Sequence, residues 1–236
     1  MARLVQSGTR FGIVALTGVP RAYRKQRWTL ARLEFFFDVS SPWTYLAFTR
    51  IHDVARRTGA QIVWKPILVG GVFNAVNREV YERRAHPDPR KASYSGKDLQ
   101  DWARLAGIVI GKPAVFPVRA VTAMRCVLAA QEQGALVELS RAMFEAYWRD
   151  LKDIGQTEVL EETIAATGLD PEDILSRAGS AEIKERLKAN TEEVIARGGF
   201  GSPTMFVDGD DMYFGNDRLP LVEAALMRDG FGTGAP

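Results

Sequence analysis

The chain has 236 residues, 46% hydrophobic and 25% charged, the make-up of a packed globular protein, at a length that suits one large domain or one domain carrying an insertion. Its formal charge of +2 is too close to neutral for a nucleic-acid or membrane-surface binder. One cysteine, Cys126, and two histidines, His52 and His86, exclude an internal disulfide, a structural cysteine zinc site and an intramolecular dithiol pair, and they argue against a histidine-rich metal centre.

Charge is uneven along the chain. Residues 1–33 carry seven basic side chains (Arg3, Arg10, Arg21, Arg24, Lys25, Arg27 and Arg32) and no acidic one, which leaves 24 basic against 29 acidic residues in the remainder. Residues 1–31 are read as a flexible basic extension; the alternatives are an organelle transit peptide or a start site upstream of the true one. The apolar stretch Phe11–Val19 is too short to span a bilayer, and no apolar run of 18 residues follows it.

Folded sequence begins at about Arg32. The aromatic run Leu33–Phe37 reads as a strand closed by Asp38. Ser41-Pro42 then sets up a helix, with serine as cap and proline in the first turn, and apolar residues recur at helical spacing until Gly59 ends it. Gln61–Pro66 follows as a second strand, so the first unit is strand–helix–strand with parallel pairing. Residues 77–95 are polar and carry Pro87 and Pro89, and they read as a long loop. Helical segments are expected at 97–106, 118–133, 135–150, 157–167, 171–178 and 180–197, with Leu136, Leu139, Met143, Phe144 and Tyr147 forming a core stripe. Thr204–Val207 and Met212–Phe214, joined through Asp208-Gly209, form a hairpin, and a last helix covers 217–228. The order implies an α/β protein of three parts: the extension 1–31, a small α/β domain made of 32–76 plus 200–236, and an inserted all-helical domain, 77–199.

Three junctions have residues suited to chemistry. Ser41 stands at a helix N-terminus, where unpaired N–H groups favour an anion; it is either a plain cap or a donor to a bound anion, and with no histidine beside it it is a poor nucleophile. Ser202-Pro203 precedes the late strand; the bond is either cis, exposing the Ser202 backbone to a ligand, or trans and marking the strand start. Asn216 and Asp217 open the last helix, as caps or as partners for the amine or carboxylate of a ligand.

Taken together, Phe36-Phe37-Asp38-Val39-Ser40-Ser41-Pro42, Lys65-Pro66-Ile67-Leu68-Val69-Gly70-Gly71-Val72-Phe73, Gly201-Ser202-Pro203-Thr204 and Phe214-Gly215-Asn216-Asp217-Arg218 resemble the thioredoxin-superfamily group of DsbA, kappa-class glutathione transferases and 2-hydroxychromene-2-carboxylate isomerases. Where redox members begin the first helix Cys-Pro-Xaa-Cys, this chain has Ser41-Pro42-Trp43-Thr44, and disulfide exchange needs a thiolate it lacks. The Gly-Asn-Asp-Arg form is closer to the isomerases. The resemblance implies a thioredoxin-like fold with an inserted all-α domain and a glutathione site: Ser41 bonding the glutathione sulfur, Ser202 and Pro203 meeting the peptide backbone, Asn216 and Asp217 holding the γ-glutamyl end, and Asn77 and Lys91 adding polar contacts.

The function so implied is glutathione-dependent isomerisation of 2-hydroxychromene-2-carboxylate or a related aromatic keto acid, with glutathione as cofactor and Lys91 as candidate holder of a carboxylate. The rivals are a kappa-like transferase or peroxidase and a non-catalytic glutathione-binding module. A cytoplasmic homodimer is expected, or a mitochondrial one if residues 1–31 are a transit peptide. Cys126 is expected in a buried helix, His52 at the surface, His86 in a loop, with substrate contact as the alternative role, and Trp43 either in the pocket or on the sheet.

Overall fold

The computed structural model describes residues 31–230; apart from Ala31, the basic extension lies outside them. A four-stranded mixed sheet in the order β2-β1-β3-β4 forms the base. β1 (Arg32–Phe37) pairs in parallel with β2 (Gln61–Pro66) and antiparallel with β3 (Thr204–Val207), which pairs antiparallel with β4 (Asp211–Phe214). The parallel pair is joined by α1 (Pro42–Thr58), whose end is set by Gly59 in the left-handed region at φ +69°, a conformation open to glycine at no steric cost.

Strand alternation divides β1 between two cores. Leu33, Phe35 and Phe37 face the larger one, shared with α1, the inserted helices and α10 (Leu219–Gly230), whereas Phe36 faces a smaller one with Ile67, Val72, Val194 and Phe206. All three phenyl rings are fully buried, each contributing about 2–3 kcal/mol by removal from water. Glu34 shares the Phe36 side and is ion-paired to Arg197 at 2.7 Å. Arg197 lies on the same side as Phe206, its guanidinium 3.7 Å from the ring centroid.

The helical region comprises α2 (Val69–Val76), α3 (Glu79–Ala85), α4 (Pro89–Ala106), α5 (Val121–Gln131), α6 (Leu136–Phe144), a π-helical turn (Glu145–Arg149), α7 (Thr157–Ala165), α8 (Pro171–Ala178) and α9 (Ala181–Ala196). α9 bridges the cores, with Ile183 and Leu187 in the larger and Val194 in the smaller. Among the described residues no helix is long and apolar enough to cross a membrane.

Two sequence expectations are corrected. Residues 77–95 are not a long loop but hold α3 and the start of α4. Asp88 caps α4, accepting from the Arg90 and Lys91 N–H groups at 2.9 and 3.1 Å, and Pro89 occupies the first turn, so this proline starts a helix rather than interrupting one. His52 is not a surface residue. It is half-buried against Phe48 and Trp64, with ring centroids 5.5 and 5.2 Å away, because Trp64 on β2 reaches over α1.

The insertion is fastened to the β1–α1 turn through one residue. Val39 donates its N–H to the Met124 sulfur at 3.4 Å and accepts from the Trp148 indole at 3.0 Å. Trp148→Phe strands the Val39 carbonyl in a buried position and is expected to cost about 1–3 kcal/mol. Urea unfolding will show this as a lower midpoint at an unchanged slope; an unchanged midpoint would refute the role.

Candidate functional site

β1 delivers the chain to a turn at residues 38–41 most of whose polar groups are engaged. Ser41 caps α1: its backbone is extended (φ −102°, ψ 121°), its Oγ accepts from the Thr44 N–H at 3.2 Å, and Pro42 follows in the first turn. The Ser41 hydroxyl also donates to the Ser202 carbonyl at 3.2 Å. The Ser202–Pro203 bond is cis, as is Phe116–Pro117, which the sequence reading did not single out. Behind Ser41, the Thr44 and Ser202 hydroxyls lie 2.7 Å apart, and the Ser202 Oγ accepts from the Asp38 N–H at 3.1 Å.

The Asp38 carboxyl knits the turn to α2. One oxygen accepts from the Ser40 N–H and hydroxyl at 2.9 and 2.8 Å, and the other accepts from the Val69 N–H at 2.8 Å. Burial pushes its pKa above the ordinary 3.8, an effect these three donors oppose without cancelling. The group is 2% exposed. Gly201 lies against the Phe214 ring; a Cβ there would come within 2.7 Å of a ring carbon, so the close approach requires glycine.

These segments border a cleft of about 910 Å³. Its floor is the Asp38–Trp43 turn, and its apolar walls include Phe73, Phe116, Phe200 and Phe214. Three arginines, Arg83, Arg84 and Arg119, line it, and among the described residues Asp38 is the only acidic one that does. α1 has no acidic residue in its first turn to offset the partial positive charge of the helix end; the Asp38 carboxyl in the preceding turn is engaged by Ser40 and Val69.

Ser41, Ser202 and Asn77 come together in this cleft. Asn77 terminates α2, and its amide donates to the Phe200 carbonyl at 3.0 Å. Pro203 is buried behind Ser202, and its carbonyl accepts from the Gly215 N–H at 3.1 Å. Asn216 and Asp217 are in a short 3-10 turn entered through Gly215 (φ +103°). They lie outside the cleft lining, just beyond Phe214, which belongs to it. Asn216 is 3% exposed, and its buried side-chain oxygen has no hydrogen-bond partner. Asp217 is exposed and paired with Arg218 at 2.6 Å. Lys91 is exposed in the first turn of α4, and it and His86 are absent from the lining. Trp43 belongs to both the cleft and the edge of the main core. Cys126 is buried in α5, its thiol pushed by burial up to about 12.

Sequence reasoning missed Asp38, the Thr44–Ser202 pair and the arginines. Asp38 ends a run of buried aromatics, a signal that a carboxyl there would need donors. Arg83 and Arg84 were obscured by reading α3 as loop.

A family model described as the DSBA-like thioredoxin domain matches residues 32–227. Among characterised proteins, the 2-hydroxychromene-2-carboxylate isomerase of Sphingobium xenophagum is 32% identical over 206 residues, covering 83% of this chain and 97% of that protein. Glutathione S-transferase kappa 2 of Caenorhabditis elegans is 29% identical over 205 residues, covering 80% and 89%. A solved structure of 2-hydroxychromene-2-carboxylate isomerase superposes with a TM-score of 0.72 at 28% identity, covering 84% of this chain and 96% of that one.

Because the folded state raises the Asp38 pKa above 3.8, this group's contribution to stability is fully present below its unfolded value and is lost as pH rises through the folded one. Asp38→Asn removes that titration. The stability of the parent relative to Asp38→Asn is therefore expected to fall in urea unfolding as pH rises from 3.8 toward neutrality. A constant difference across that range would contradict it.

Proposed function

The chain belongs to the DSBA-like thioredoxin domain family, and we propose that within it this protein is a glutathione-dependent isomerase interconverting 2-hydroxychromene-2-carboxylate and trans-o-hydroxybenzylidenepyruvate or a close aromatic-degradation relative. The observation that carries the reading is the Ser41 hydroxyl at the α1 N-terminus facing the cleft, where redox members of the family hold a cysteine. The only cysteine of this chain, Cys126, is buried in α5.

The residues present suit glutathione. Ser41 offers its hydroxyl to a sulfur anion, Ser202 offers backbone at the cleft edge, and the unpartnered oxygen of Asn216 is an acceptor matched to an amine such as the γ-glutamyl ammonium. Asp217 and Asn77 complete the assignment; Lys91, which the resemblance also assigns, lies on α4 outside the cleft lining. Bound there, glutathione supplies a thiolate that adds to an electrophilic carbon of an unsaturated keto acid and departs after bond rotation, leaving no net redox change. An isolated thiol titrates near ~8.5 and is mostly protonated at neutral pH; helix N-termini lower such values by one or more units, each worth about 1.4 kcal/mol.

Ser41 itself keeps its proton, since its partners are a peptide N–H and a peptide carbonyl and neither is a base. Turning that proton from the Ser202 carbonyl toward the cleft gives up one 3.2 Å hydrogen bond for a charge-assisted one, which is the stronger kind. Trp43, Phe73 and Phe116 supply flat apolar walls for an aromatic substrate. The reading includes a homodimer, in the cytoplasm or, if the basic leader directs it, the mitochondrial matrix.

A second reading, a kappa-like transferase or peroxidase, rests on the 29% identity to a kappa relative. Isomerisation followed by ultraviolet absorbance, with glutathione measured in parallel, separates the two: turnover at constant glutathione is expected, whereas stoichiometric consumption would overturn the isomerase assignment. Ser41→Ala is expected to lower kcat/KM about 10- to 100-fold, the worth of one hydrogen bond to an ion at roughly 1.5–3 kcal/mol, and to raise the thiolate pKa in the pH–rate profile. An unchanged profile would remove Ser41 from the sulfur.

A further inference from the structure

We propose that Arg84 is the substrate-carboxylate anchor of the cleft and sets its preference for aromatic acids over their neutral counterparts. The inference rests on the isomerase reading for the identity of the acid, but not for the binding preference itself.

Arg84 closes α3 within its last turn and lines the cleft. Its guanidinium lies 5.6 Å from the Phe73 ring centroid and 5.2 Å from that of Phe116, distances at which a cation is attracted to each π face. Two rings therefore position the group without consuming its N–H donors. Among the described residues Arg84 has neither an ion-pair partner nor a side-chain hydrogen bond, in contrast to Arg149, Arg177 and Arg197, which are all paired. The one acid of the lining, Asp38, has its oxygens committed to Ser40 and Val69. A planar guanidinium flanked by two rings, exposed and with its donors unspent, matches a carboxylate in two-point contact.

The position is also apt. A Cβ on Gly201 would lie 3.7 Å from the Phe73 ring, so Phe73 abuts the segment whose Ser202 carbonyl accepts from Ser41. Phe73 thus adjoins both the Arg84 guanidinium and the segment leading to Ser202, so a conjugated acid lying along its ring would present its carboxylate to Arg84 and its unsaturated carbons toward the α1 N-terminus. Arg83 and Arg119 add positive charge to the rim but lack the paired rings. Lys91, the cation singled out from sequence, is outside the lining.

The test measures binding of trans-cinnamate and cinnamamide to the full chain without glutathione, by calorimetry or tryptophan fluorescence. The parent protein is expected to bind the acid about 10- to 100-fold more tightly than the amide, in line with one charge-assisted ion contact. Arg84→Gln is expected to weaken the acid by the same factor, move the amide less than about threefold, and leave glutathione affinity within that margin; Arg84→Lys restores part of the preference. A preference that survives in Arg84→Gln overturns the proposal. So does a parallel fall for acid and amide, which makes Arg84 a prop for the two rings, and so does an equal loss of glutathione, which assigns the guanidinium to the tripeptide. Absence of isomerase activity in the parent protein, with the acid preference intact and dependent on Arg84, defeats the functional reading and leaves this one standing.

Discussion

The turn between β1 and α1 buries backbone that neither element can satisfy, and much of the molecule is arranged around that need. The Val39 N–H and carbonyl take partners from Met124 and Trp148 in the insertion. The Asp38 N–H bonds Ser202 on the far side of the sequence, and its carboxyl takes the first N–H of α2. Each such group left unpaired would cost about 1–3 kcal/mol. Three segments separated from the turn by 31 to 164 residues are consequently held against it, and the cleft is the space they enclose. The helical insertion contributes the turn's partners as well as the walls, so site geometry and fold stability rest on the same contacts.

Within that frame the two hydroxyls that replace the family's redox thiols play different parts. Thr44 is fully buried and occupied with Ser202 at 2.7 Å, so it ties α1 to the late strand. Ser41 is half-exposed and held by two longer bonds of 3.2 Å. A hydroxyl so placed changes partner cheaply. Exchanging sulfur for oxygen at both places thus turns a dithiol centre into one structural clasp and one adaptable donor, and in the proposed reaction the sulfur must arrive with the ligand.

What could be read from sequence was what local chemistry decides. The Leu33–Phe37 strand, the Ser41-Pro42 helix start, the helix at 171–178 and the Gly59 stop all depend on residues within a few positions, and the structure has them. The same logic applied to Asp88-Pro89 would have started α4 there; the surrounding polarity hid it, because α3 and the first half of α4 are almost wholly exposed and so carry no apolar stripe. His52, expected at the surface, is covered by Trp64 from β2, outside its own helix. Ser41, Asn77 and Ser202 share the cleft, and Lys91 does not line it. Arg84 went unnoticed, since what marks it is a pair of rings from α2 and from the loop before α5, a coincidence visible only in three dimensions.

The charge balance of the cleft runs against that of the chain. Residues 34–236 carry a net −5, yet the lining has three arginines, one buried acid and the positive end of α1. In the proposed reaction two anions must share this space, the tripeptide with its ionised sulfur and the keto acid. Unit charges 4 Å apart repel by about 1 kcal/mol in bulk water and about 4 kcal/mol at the effective dielectric of a protein surface, enough to keep the second ligand out of an uncharged cleft. A guanidinium beside one anion and a helix terminus beneath the other offset that repulsion while keeping the two charges apart. The same cations at the rim, exposed to solvent, draw anions from a distance of about 10 Å at 0.1 M salt. In that proposed reaction a chain with almost no net charge selects two anions at once, because among the described residues the arginines of the cleft are left without carboxylate partners.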